Sequence, residues 1–175
     1  RAEQAAAGAP VPVRVADGVA TELPARDGEF DAVVFSGLLC SVPDVPAALG
    51  EFARVLRPGG EVRFYEHVRS ADPLFAGFQR VADLAWPHLN GGCRVRRDTL
   101  PLISRVFTVE SCRGFRFPPS AFLYPVAPRI LGTARKPGNG LSRLSRTGGA
   151  GRRRRGRWWR GRGGPRSGRW REGRR

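Results

Sequence analysis

Glu66 and His67 close the stretch "RVLRPGGEVRFYEHV", residues 54–68. It reads as a helix end, a Pro-Gly-Gly turn, and a strand finishing on a carboxylate and an imidazole. In an open α/β sheet the carboxyl ends of the strands face the ligand. An imidazole there titrates near neutrality, so it can act as a general base or orient a nucleophile. It can equally be a hydrogen-bonded strand terminus that only adds stability. The other reactive side chains are three cysteines, Cys40, Cys93 and Cys112. An odd count without CxxC spacing predicts reduced thiols, a cytoplasmic setting, no disulfide scaffold and no metal site. Cys40 and Cys93 are expected to be packing residues rather than nucleophiles.

The elements that must position these groups can be read from the chain. "RAEQAAAGAP" predicts an Ala-rich helix ending at Gly8 and Pro10. "VPVRVADG" predicts a short strand, and "VATELPARDGEF" a loop with a turn at Asp27-Gly28. Ala32 to Phe35 form a compact apolar strand that reads as buried on both faces. Val45, Ala48, Leu49, Phe52, Val55 and Leu56 repeat with helical spacing. Asp44 is placed to cap that helix, with Pro46 in its first turn. "EVRFYEHV" is the next strand, "PLFAGFQRVADLAWPHL" and "TLPLISRVF" are helical, and "TVESCRGFRF" and "PRILGTARK" are late strands. This alternation points to a parallel sheet with crossover helices.

These pieces, in this order, resemble the second half of a class I S-adenosylmethionine-dependent methyltransferase. The resemblance rests on Gly18-Val19-Ala20 before Leu23-Pro24, on Asp27-Gly28-x-Phe30-Asp31, and on Arg54-Val55-Leu56-Arg57-Pro58-Gly59-Gly60. "LCSVPD", "EHV", the segment from Trp86 to Asp98 and a closing run from Pro128 to Lys136 are similar to the small-molecule thiol methyltransferase branch. The resemblance implies an α/β, Rossmann-like class I methyltransferase fold lacking its first two strands, over residues 1–136. It implies methyl transfer from S-adenosylmethionine to a small-molecule acceptor. That acceptor is a thiol or, by similarity to quinone-pathway enzymes, a carbon atom.

The same resemblance places cofactor contacts at Gly18, Val19 and Ala20, under the adenine, and at Ser36, Gly37 and Leu38, along the methionine part. The carboxylate that commonly follows the first glycine is replaced by Val19. The resemblance also implies that His67 and Glu66 face the acceptor as the catalytic pair. Trp86, Gly91-Gly92-Cys93 and Arg97-Asp98 either line the acceptor pocket or, for Arg97-Asp98, cap a helix. The Pro-Gly-Gly turn is structural. The resemblance further implies a glycine-rich loop after a first strand and an acidic residue after a second. Neither is present, so Arg1 is expected to lie inside a longer protein. In the family's strand order, 3-2-1-4-5-7-6, the missing strands are central, so this chain is expected to be unstable and to bind cofactor poorly alone.

Charge divides the chain at the end of that domain. Residues 1–136 hold 17 basic and 14 acidic residues, and 137–175 hold 14 and 1, so the tail carries most of the net charge of +16. The tail has 14 Arg and 11 Gly with Trp158, Trp159 and Trp170 interspersed. No apolar period supports a core, so it is expected to be disordered. Three readings stay open: nucleic-acid binding by Arg and Trp stacking, an inert basic tail, or the product of a frameshift or read-through in GC-rich coding DNA. An RNA-binding protein acting through this tail, with an inactive methyltransferase-like body, is the alternative function. No run is long and apolar enough for a membrane span. The oligomeric state is not legible.

Overall fold

The computed structural model describes residues 1–117 and 124–138. Its elements are α1 (Ala2–Ala7), β1 (Phe30–Ser36), α2 (Val45–Val55), β2 (Leu56–His67), α3 (Pro73–Ala82), α4 (Trp86–Leu89), α5 (Thr99–Val106), β3 (Thr108–Arg116) and β4 (Pro128–Arg135). The strands form one sheet in the order β1-β2-β4-β3. β1 and β2 run parallel, while β4 is antiparallel to both β2 and β3. The sheet is therefore mixed, where the alternation of elements had suggested a parallel one. The basic tail lies outside the described residues beyond Gly138. No described helix is long and apolar enough to cross a membrane.

α2 forms where its apolar spacing requires it. Val45, Ala48, Leu49, Phe52 and Val55 are all buried, and the Asp44 side chain caps the helix by accepting from the Ala47 N–H at 2.9 Å. The Phe52 ring stacks on Phe35 of β1 at 5.2 Å, and Phe35 in turn meets Phe64 of β2 at 6.2 Å. Emptying such a position, as in Phe52→Ala, costs about 3–5 kcal/mol. Ile103 and Phe107 complete the core from α5 and its end. The turn after α2 becomes a bulge inside β2: Phe30 pairs with Leu56, and Ala32 already with Glu61. Gly59 has φ +74, and a Cβ on Gly60 would stand 2.9 Å from the Arg57 carbonyl oxygen and 3.1 Å from that of Asp31. Both glycines are thus required by the backbone.

Two further expectations are corrected. "VPVRVADG" forms no strand, and Val11, Val13 and Val15 are 62%, 50% and 42% exposed. A strand needs a hydrogen-bonding neighbour, and among the described residues β1 pairs only with β2. β1 is also not buried on both faces, because Val34 is 72% exposed while Phe35 is buried. α2 and α5 cover one face of the sheet. On the other face Arg63 and Leu131 remain open to solvent.

Candidate functional site

The site begins where β1 ends. Gly37 adopts φ +57 and its N–H donates to the Tyr65 carbonyl at 2.8 Å, which turns the chain across the end of β2. The loop that follows is gripped from two sides. The buried Glu66 carboxylate accepts from the N–H groups of Leu38 (2.8 Å), Leu39 (3.1 Å) and Cys40 (3.3 Å). Arg97 donates to the carbonyls of Leu39 and Val42. One charged side chain thus satisfies the N–H groups of the turn and another its carbonyls. Cys40 is held in the middle.

A third segment closes the site. After α4 the chain reverses through Gly91 (φ +58) and Gly92 (φ +80), and the Arg94 N–H donates to the Cys40 carbonyl at 2.8 Å. This sets Cys93 opposite Cys40, with His67 between them. His67 Nδ1 lies 3.6 Å from Cys40 Sγ and 3.7 Å from Cys93 Sγ. Both thiols are free. A cavity of about 350 Å³ opens over the three, lined also by Gly37, Ser41, Trp86 and Tyr124. Trp86 and Tyr124 meet edge to face at 5.7 Å. The buried Trp86 side chain hydrogen-bonds to the Cys93 sulfur.

Electrostatics distinguish the two thiols. Cys93 donates to Cys40 and so holds the Cys40 thiol well below the ordinary thiol range, helped by His67 and Ser41 and opposed by burial. The same contact, with burial, pushes Cys93 up. The pair therefore favours one thiolate, on Cys40. Burial pushes the Glu66 carboxyl up to about 7, against the N–H donors of Leu38, Leu39 and Cys40 that pull it down. Two thiols and an imidazole in this arrangement can move a proton, present a thiolate, or hold a soft metal ion.

The expected site residues separate into three groups. His67 and Gly37 line the cavity; Ser36 and Leu38 flank Gly37 without lining it. Glu66 sits one residue from His67, but its carboxylate is spent on the turn, which makes it a positioning residue. Gly18, Val19 and Ala20 stand outside the cavity, on a loop tied to α2 by Glu51 and Arg54 through Leu23 and Ala25. Of the acceptor-side group, Trp86 and Cys93 line the cavity. Arg97 holds the turn, and Asp98 takes the N-cap position of α5 without a capping hydrogen bond. Cys40 and Cys93 were read as packing residues, and they are buried, yet their sulfurs meet at the cavity.

Comparison with known proteins agrees with this architecture. Residues 1–64 match the profile of a family described as a methyltransferase domain. The thiol S-methyltransferase TMT1B of Rattus norvegicus is 38% identical over 111 residues, 63% of this chain and 45% of that protein. The demethylmenaquinone methyltransferase of Mycolicibacterium vanbaalenii is 48% identical over 71 residues, 41% of this chain and 31% of that one. The chain thus spans under half the length of these relatives. Among solved structures, a SAM-dependent methyltransferase of Methanosarcina mazei superimposes with TM-score 0.57 at 18% identity, over 78% of this chain and 76% of that one. The [4+2]-cyclase SpnF superimposes with TM-score 0.55 at 19% identity, over 70% and 55%. The latter pair shows the fold alone, and a cyclase among the neighbours illustrates that fold does not dictate reaction. The resemblance to class I S-adenosylmethionine-dependent methyltransferases, read from the sequence motifs, is borne out.

Proposed function

We propose that this chain carries the acceptor pocket and part of the cofactor site of an S-adenosylmethionine-dependent methyltransferase acting on a small nucleophile, a thiol first. The observation that carries the proposal is the cavity at the carboxyl ends of β1 and β2, where His67 meets Gly37. A side chain at Gly37 would be disfavoured by its φ of +57, and its Cβ would stand 4.0 Å from His67 Cε1. The bare backbone there suits close approach of a ligand. Ser36, Gly37 and Leu38 would hold the methionine part of the cofactor, and Gly18, Val19 and Ala20 the adenine part. When bound, the cofactor supplies a methyl group on a sulfonium, already a good leaving group.

The protein's own share is then alignment, water exclusion and handling of one proton. Trp86 and Tyr124 wall the cavity against water. His67 is placed to take the proton from an acceptor thiol or hydroxyl. Glu66 and Arg97 keep the β1 exit turn in register with His67. Similarity to thiol S-methyltransferases favours sulfur as acceptor atom. Similarity to a demethylmenaquinone methyltransferase supports carbon as the second reading.

The test is product analysis by mass spectrometry with the 175-residue chain, saturating cofactor, and either a small alkyl thiol or a demethylated quinol. An S-methyl thioether formed in equal amount with S-adenosylhomocysteine is the expected result. Methylation of the quinol alone would move the acceptor to carbon. Turnover of neither, by folded chain with cofactor bound, would overturn the proposal.

A further inference from the structure

Cys40, His67 and Cys93 come from three separate segments, a turn after β1, the end of β2 and a turn after α4, yet their donor atoms all lie within 4.8 Å of one another. A tetrahedral zinc ion with Zn–S near 2.3 Å and Zn–N near 2.0–2.1 Å sets sulfur–nitrogen edges at about 3.6 Å. The two observed sulfur–nitrogen separations are 3.6 and 3.7 Å. Two of the three donor–donor edges thus match such a tetrahedron, and the sulfur–sulfur edge, about 3.8 Å at that Zn–S length, is reached by a small side-chain adjustment from within the 4.8 Å spread. Two thiolates and one neutral imidazole also make a soft donor set that favours zinc over magnesium or calcium. Their charge cancels that of a divalent ion, which suits a half-buried pocket.

The surroundings fit the same occupant. Glu66 and Arg97 grip the backbone on both sides of Cys40, and the Arg94 N–H ties the Cys93 turn to the Cys40 carbonyl. Such supporting bonds are what keep metal ligands oriented. Trp86 packs against Cys40 and Cys93, and its side chain hydrogen-bonds to the Cys93 sulfur. Three protein ligands leave a fourth position, and the cavity of about 350 Å³ lies over them.

We propose that Cys40, His67 and Cys93 bind one thiophilic divalent metal ion, zinc in the first instance, with its fourth coordination position open to the cavity for an exogenous thiol. On loading, the remaining thiol protons of Cys40 and Cys93 leave to solvent. An incoming thiol likewise gives its proton to solvent and coordinates as thiolate. The metal site stands on its own geometry; that its fourth ligand is the methyl acceptor rests on the methyl-transfer reading. In that case Nδ1 of His67 is on the metal, and the metal rather than the imidazole keeps the acceptor ionised.

The test uses the untagged, reduced 175-residue chain titrated with zinc(II) and cobalt(II). Uptake of one ion per chain is expected, with tetrahedral cobalt bands and thiolate-to-cobalt charge transfer. Cys112→Ser should leave both unchanged, because Cys112 lies on β3 away from the cluster. Cys93→Ser and His67→Gln, checked for fold by circular dichroism, should each weaken zinc binding by more than ~100-fold, since losing an outer-sphere partner alone costs ~10–100-fold. If both variants fail to fold, the parent chain decides: no uptake, or cobalt uptake without the charge-transfer band, overturns the site. Adding 2-mercaptoethanol should shift the cobalt bands without releasing the ion, and an unchanged spectrum would overturn the open position. Stoichiometric metal without methyl transfer by folded chain with cofactor bound leaves the metal site standing and sinks the methyl-transfer reading. Undiminished thiol methylation by metal-stripped chain overturns the assignment of the acceptor to the metal.

Discussion

Glu66 offers the sharpest test of how the site is built. Its carboxylate accepts three backbone N–H groups, two in fully buried hydrogen bonds at 3.1 and 3.3 Å and one part-buried at 2.8 Å. Glu66→Ala leaves all three without that acceptor. Each buried donor left unsatisfied costs about 1–3 kcal/mol, so the two buried ones together cost about 2–6 kcal/mol. That is a large part of the ~5–15 kcal/mol by which a typical domain is stable. Glu66→Gln keeps an oxygen for Leu38 and Leu39 and sets its amide against the Cys40 N–H. It gives up charge assistance in two bonds, about 1–3 kcal/mol in all, and leaves the buried Cys40 N–H without an acceptor, about 1–3 kcal/mol more. It also escapes the burial penalty that pushes the carboxyl up to about 7, so its net cost falls below that sum. Urea unfolding at about pH 8, above the carboxyl's value of about 7, should rank Ala below Gln, because only Ala also strips the Leu38 and Leu39 N–H groups of their acceptor. Hydrogen exchange at Leu38, Leu39 and Cys40 should accelerate in both variants, most in Ala. Equal effects of Ala and Gln, or an Ala cost under ~1 kcal/mol with exchange unchanged, would refute the view that this carboxylate holds the turn.

Glu51 should carry an acid-side stability slope. Hydrogen bonds from Arg54, then from the Leu23 N–H, lower its carboxyl from 4.5 to about 2, so its contribution is complete above 4.5 and disappears as pH falls toward 2. Thermal melts across that window should steepen for the parent relative to Glu51→Gln; parallel profiles would refute the pairing. Gly132→Ala places a Cβ 2.4 Å from both Phe64 Cζ and the Ser111 carbonyl oxygen, and a loss of at least ~1–3 kcal/mol is expected from overpacking; an unchanged urea midpoint would refute that close approach. Val34→Lys on the open face and unpaired edge of β1 should reduce concentration-dependent self-association in light scattering. A parent chain that stays monomeric at high concentration would contradict this. Gly18–Ala20 stand apart from the cavity. Calorimetry should therefore find S-adenosylhomocysteine binding weaker than micromolar, and micromolar affinity would refute that expectation.

Much of the fold was legible because local chemistry and tertiary need agreed. The stripe from Val45 to Val55, the Asp44 cap and the stop before Pro58-Gly59-Gly60 each point to the same helix, and α2 occupies that place. The late strands pair as β3 and β4 even though β3 lacks clean alternation, because Gly132 lets Phe64 and the Ser111 backbone approach. The segment 11–18 was misread for the opposite reason. Alternating valines describe a chain able to be a strand, but pairing is a property of a neighbour, and β1 offers that segment no hydrogen bonds.

The site was legible only in its strand-end half. A ligand-edge histidine follows from the position of His67 at the end of β2, since strand termini in such sheets face ligands. The cysteine cluster could not be read from spacing, because Cys40 and Cys93 each lie 26 or 27 residues from His67 and no short motif links them. What brings them together is invisible in composition. Glu66 turns its charge inward to collect N–H groups, and Arg97 reaches back to collect carbonyls from the same turn. A charged residue beside a reactive one invites a catalytic reading, whereas here burial decides otherwise: a carboxylate with three backbone donors and no exposure touches no substrate. The chemistry of the pocket therefore belongs to the residues that this frame presents. Those are His67 and the two sulfurs, whose proximity is the frame's consequence and whose joint hold on a metal ion should be lost when the frame is broken at Glu66.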